Sequence, residues 1–101
     1  MLSLDNEAIL TDIDARVYRH TGNFKEAINL YEQYRRCSNI SVLGAVENNI
    51  EYAQTEVSRD DKPRDMGLCI ALLTEGITGA KELGGKWYIL LLLTLRNTFH
   101  S

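Results

Sequence analysis

Apolar residues recur along this chain every three to four positions in four successive segments, the spacing of one face of an α-helix. In the first, about Asp5 to His20, Ile9, Leu10, Ile13 and Val17 share one side, while Glu7, Asp12, Asp14 and Arg16 take the other. A stripe of this kind is expected to face a core. Acidic residues crowd the start of the segment and Arg19 and His20 close it, which suits the helix dipole. Gly22 supplies the left-handed conformation that ends a helix. The second segment opens at Asn23, a candidate cap with Glu26 three residues on, and its apolar stripe is Phe24, Ala27, Ile28, Tyr31 and Tyr34. So short a connection folds the two helices back as an antiparallel hairpin, about residues 5–37.

The third segment, about 41–57, places Leu43, Val46, Ile50, Ala53 and Val57 on one side and Glu47, Asn48, Glu51 and Gln54 on the other. The run SRDDKPRD follows, and its charges and single proline predict a solvated loop. Asp65 then caps a fourth helix reaching about Leu83, with Met66, Cys69, Ile70, Leu73, Ile77 and Ala80 on one side. Gly67, Gly76 and Gly79 interrupt it, and each costs up to about 1 kcal/mol against alanine in a helix interior. Three such residues predict a neighbouring backbone packed closely on the glycine face; the alternative is a helix that is merely weak. This second hairpin spans about 41–83. Gly84-Gly85 breaks the pattern before a last helix, about 86–99, that is apolar nearly all round. No alternating strand pattern stands out, so the fold class is all-α, about five helices in antiparallel hairpins within one domain.

The span from Ala8, AILTDIDARVYRHTGNFKEAINLYEQY, resembles a tetratricopeptide repeat. Ala15 and Tyr18 match the small and aromatic positions of its first helix. Gly22, Asn23 and Phe24 match the turn, and Ala27 and Tyr31 match the second helix. The family's tryptophan-like residue and leucine are replaced by Thr11 and Asp14, and a late small residue by Tyr34. AVENNIEYAQTEV is similar to a first helix, and CIALLTEGITGAKELGG to the second helix of the longer repeats of bacterial signalling regulators. KWYILLLLTLRNTF resembles the opening helix of a third repeat. The resemblance implies a right-handed superhelical stack whose first helices line a concave, peptide-binding face. The contacts so implied are Asp12 and Arg16, Asn48 and Asn49, Arg96 and Asn97.

Composition changes this picture little. A net charge of −3 argues against a general nucleic-acid binder. Cys37 and Cys69 stand far apart, without metal-ligand spacing, and read as reduced thiols of a cytoplasmic protein. The N-terminus lacks a basic, then apolar, leader pattern, and the run Trp87 to Leu95 is too short for a span of about 20 residues. No nucleophile elbow, phosphate loop, zinc motif or calcium loop occurs. His20 suits a dipole role, and the Asp60-Asp61 pair supplies too few oxygens for a cation. The expectation is a non-enzymatic module without cofactor or metal that binds a protein or peptide. Self-association as a homodimer is expected through Trp87, Tyr88, Leu91, Leu92, Leu95 and Phe99 of the last helix, because no polar side is left on it. The alternative is a small regulatory or inhibitory bundle that occludes a partner's surface.

Overall fold

The computed structural model describes the backbone of residues 4–37 and 40–100, and the side chains of 10–37, 40–86 and 89–97. The described residues form five helices: α1 (Leu4–His20), α2 (Phe24–Arg35), α3 (Val42–Ser58), α4 (Met66–Leu83) and α5 (Lys86–His100). No strand occurs among the described residues, and the fold is all-α. Each helix packs on the next in chain order. The result is a slab of 45 × 36 × 18 Å, two helix layers thick given interaxial distances of about 8–10 Å.

The turns follow local chemistry. Gly22 (φ 81°) and Gly84 (φ 69°) adopt the left-handed conformation that stops α1 and α4. Ser41 accepts from Gly44 N at 2.9 Å and Asp65 from Leu68 N at 2.9 Å, capping α3 and α4. Asn23 departs from the expected capping box. Its side chain makes no cap bond and instead donates to Thr21 Oγ1 at 2.9 Å, while Ala27 N donates to its backbone carbonyl.

The core runs through α2, α3, α4 and the inner side of α5, with Tyr31, Leu73, Ala53, Cys69 and Leu92 wholly buried. Tyr31 stacks on Tyr52 with centroids 5.9 Å apart, and Tyr52 Oη donates to Glu32 at 2.7 Å. Burial, then the Glu32 contact, holds the Tyr52 hydroxyl well above the usual phenol range. Cys69 Sγ donates to the Ala53 carbonyl at 3.5 Å, and burial pushes its thiol up to about 11, so it is an inert core group.

Helix α1 reverses the expected orientation. Leu10, Ile13 and Val17 are 45%, 50% and 55% exposed, whereas Ala15 is wholly buried. At about 100° per residue, Ile13 and Val17 each lie about 200° around the helix from Ala15, on the opposite side. A small side chain lets α1 approach its neighbours closely, and the polar residues beside it find partners on α3. Apolar periodicity alone does not register either condition.

The glycines of α4 admit side chains rather than a backbone. A Cβ on Gly76 would lie 3.2 Å from Leu92 of α5, and one on Gly79 would lie 2.8 Å from Val46 of α3. Gly67 is exposed and meets only Asp65 at 3.4 Å.

The 58–65 segment is not wholly solvated. Arg59 is buried and forks onto Asp61 through Nε (2.7 Å) and Nη2 (2.8 Å), and its Nη1 donates to buried Glu56 at 2.9 Å. Glu56 also accepts from Asp65 N at 3.1 Å, so one carboxylate ties the end of α3 to the start of α4. Hydrogen bonding from Arg59 holds the Asp61 carboxyl at about 2.

Removing one member of a buried ion pair leaves the other uncompensated, so Arg59→Met should cost about 3 kcal/mol or more in urea denaturation. The Asp61 contribution has a defined sign. Because its folded pKa is depressed, the stabilisation is complete above the ordinary carboxylate pKa and disappears as pH falls through about 2. Asp61→Asn should therefore lower the melting temperature at pH 6, and the gap from the native protein should close towards pH 2.

Candidate functional site

Asp12, Arg16, Asn48 and Asn49, all expected to contact a peptide, are engaged inside the protein. Arg16 Nη2 lies 3.1 Å from Asp12 on its own helix, and its Nε lies 3.2 Å from Glu51 of α3. Glu47 completes the cluster at 4.0 Å. Arg19 joins it from one turn on, donating to Gln54 at 3.4 Å. Burial raises the Glu51 carboxyl, an effect that Arg16 opposes and Asp12 reinforces. Burial alone would lower the Arg16 guanidinium, but Glu51, Asp12 and Glu47 together carry it upward. A groove of about 230 Å³ opens here, lined by Arg16, Glu47, Ile50, Glu51 and Gln54. Its charged groups are largely committed to one another, closing α1 onto α3.

Asn48 and Asn49 are 1% and 4% exposed, which corrects their reading as open amides on a binding face. Asn48 Nδ2 donates to the Tyr31 carbonyl in the middle of α2 at 3.3 Å. Asn49 Nδ2 donates to the Leu72 carbonyl in the middle of α4 at 3.1 Å, and also to Glu75 at 3.3 Å. Its Oδ1 accepts from Arg35 Nη1, and Arg35 Nη2 reaches Glu75 at 2.8 Å. The donor-plus-acceptor chemistry that suits an asparagine to an extended peptide here joins three helices of the same chain.

Arg96 is half-buried and Asn97 exposed on α5. Of the residues expected to mediate self-association, Leu92 is wholly buried beneath α4, its methyl carbons against Gly76, and drops out of any outer surface. Leu95 packs against the core, while Leu91 is 40% exposed beside Leu90 at 67%. The side chains of Trp87, Tyr88 and Phe99 lie outside the described residues.

Helix α1 also carries a run of exposed apolar side chains on one face. Leu10, Ile13 and Val17 follow a three-then-four spacing, and Tyr18, 39% exposed, adjoins Val17 in sequence. Apolar spacing alone places this stripe on the core side, and the structure exposes it. On the opposite side of α1, buried Ala15 and the polar partners on α3 take the inner position.

No known protein family, characterised protein or solved structure matches this chain. Among the described residues, no helix is long and apolar enough to cross a membrane.

The two polar clusters differ in burial and should differ in cost. Asn49→Ala strands the polar groups it serves and should cost about 1–3 kcal/mol. Arg16→Ala removes half-exposed ion pairs and should cost about 1 kcal/mol or less. Chemical denaturation of both variants checks the ranking.

Proposed function

We propose that the chain is a non-enzymatic protein–protein interaction module that receives an amphipathic partner helix on the outer side of α1. The observation that carries this reading is the half exposure of Leu10, Ile13 and Val17 on a helix whose opposite side is anchored by Ala15 and by ion pairs to α3. Anchors at i, i+3 and i+7 are what a helix offers to a complementary helix. Covering three half-exposed aliphatic side chains is worth roughly 3 kcal/mol in total. Association costs more than that, about 4 kcal/mol at the least, so the contact is reversible unless Tyr18 and adjoining surface take part.

The tetratricopeptide resemblance is compatible with this reading. The exposed Leu90 and Leu91 of α5 offer a second apolar face, and self-association through α5 belongs to the same proposal, now without Leu92.

Ile13→Asp combined with Val17→Asp should abolish capture of the partner while leaving the unfolding free energy within about 0.5 kcal/mol of the native protein. Affinity capture from cell extract, paired with urea denaturation of the same preparations, provides both readouts. Equal capture by the variant would contradict the docking assignment. A loss of several kcal/mol in stability would show that the stripe is core.

A further inference from the structure

Among the described residues, the seam between α1 and α3 gathers one more negative charge than positive. Asp12 of α1 and Glu47 and Glu51 of α3 bring three carboxylates, and Arg16 and Arg19 of α1 bring two guanidiniums. Arg16 reaches Asp12 through Nη2 at 3.1 Å and Glu51 Oε1 through Nε at 3.2 Å. Arg19 Nη1 stands 4.0 Å from the same Glu51 oxygen. Both cations thus address Oε1. The other oxygen of Glu51, Oε2, is buried and accepts from no group among the described residues.

The groups around Glu51 explain why that oxygen stays without a donor. Thr55 Oγ1 donates to the Glu51 backbone carbonyl at 2.7 Å, and Gln54 Oε1 accepts from Arg19 at 3.4 Å. From α2, the Tyr31 hydroxyl faces the same region, but it too is buried without a partner and does not reach Oε2. The Asp12 carboxyl lies within hydrogen-bonding reach of Glu51. Two ionised carboxylates, however, offer only acceptors and repel one another. Water solvates Glu47, which is 42% exposed, whereas Glu51 is 17% exposed. The surplus charge therefore falls where solvent relieves it least.

One proton answers both defects. It supplies the missing donor between the two carboxyls, and it balances the seam. Hydrogen bonds from a carboxyl to a carboxylate are short and strong. We propose that the α1–α3 seam is a proton-operated latch, in which Glu51 and Asp12 share one proton that holds α1 on α3 and whose release loosens α1. The proton leaves to solvent through the groove of about 230 Å³ lined by Arg16, Glu47, Ile50, Glu51 and Gln54. Burial raises the Glu51 carboxyl above its ordinary value and Asp12 adds to the effect, against the opposing pull of Arg16 and Arg19. A carboxyl raised in the folded protein stabilises it fully below the ordinary carboxylate pKa, and the stabilisation is lost as pH rises through the folded value. The latch therefore closes in acid and loosens towards neutral pH. It concerns the inner side of α1 and does not depend on what the outer stripe binds.

The test follows amide hydrogen exchange in the full chain from about pH 5 to about pH 8, corrected for intrinsic rates. Protection of residues 10–19, taken relative to α4, should fall at least about fivefold with rising pH, the worth of one like-charge contact of about 1 kcal/mol. Glu51→Gln, whose amide donates to Asp12 at every pH, should hold that ratio constant. A carbon-13 titration of the native chain should show the Glu51 carboxyl ionising above its ordinary value, over the same pH range in which α1 loosens. A constant ratio in the native chain would overturn the proposal, as would an equal fall in Glu51→Gln or a Glu51 carboxyl that ionises at its ordinary value. If Glu51→Gln does not fold, the two native-chain curves decide: coincidence supports the latch, and separate transitions overturn it.

Discussion

Helix α3 is enclosed on most of its circumference, and that enclosure governs the protein. Besides Val46, Ile50 and Ala53, it buries Asn48, Asn49, Thr55 and Glu56. A buried polar group without a partner costs several times what its hydrogen bond gains in net stability, so the neighbouring helices must arrive where those groups need them. Asn48 draws in the middle of α2, and Asn49 the middle of α4. Glu56 and Arg59 fix the connection into α4. Each asparagine uses the spare lone pair of a mid-helix carbonyl, which a sliding helix would lose.

The same helix decides what α1 can do. Glu47, Glu51 and Gln54 project from α3 towards α1, and they select the charged side of α1, with Arg16 and Arg19, as the inward one. Ala15 is the only wholly buried apolar side chain that α1 contributes among the described residues. With the inner side so committed, the aliphatic stripe has nowhere to go but out. The proposed docking face thus goes with the close packing of Ala15 together with the polar pairing to α3.

How much of this was legible in the sequence differs by element. The five helices and their ends follow from glycines, caps and apolar spacing, and the ends lie within a residue or two of expectation. The inner side of α1 was not legible from apolar spacing, because that signal ranks Leu10, Ile13 and Val17 above a lone alanine. The positions carrying the repeat resemblance, Ala15, Ala27 and Tyr31, are all wholly buried and pointed to the correct side. The burial of Asn48 and Asn49 is not legible in the sequence, because an amide that bridges helices has the same composition as one that waits for a ligand. Arg59 was hidden in a run of charges. Its one local signal was Glu56 three residues earlier, at helical pairing distance.

The orientation of α1 is the claim on which the functional reading rests, and thiol labelling tests it most directly. In a background with Cys37→Ser and Cys69→Ala, single Ile13→Cys, Val17→Cys and Ala15→Cys variants would be treated with an aromatic disulfide reagent at low protein concentration. The account predicts labelling at positions 13 and 17 within about tenfold of the unfolded chain, and protection at position 15 by several orders of magnitude, as expected where exposure requires unfolding. Fast labelling at 15 with protection at 13 and 17 would contradict it.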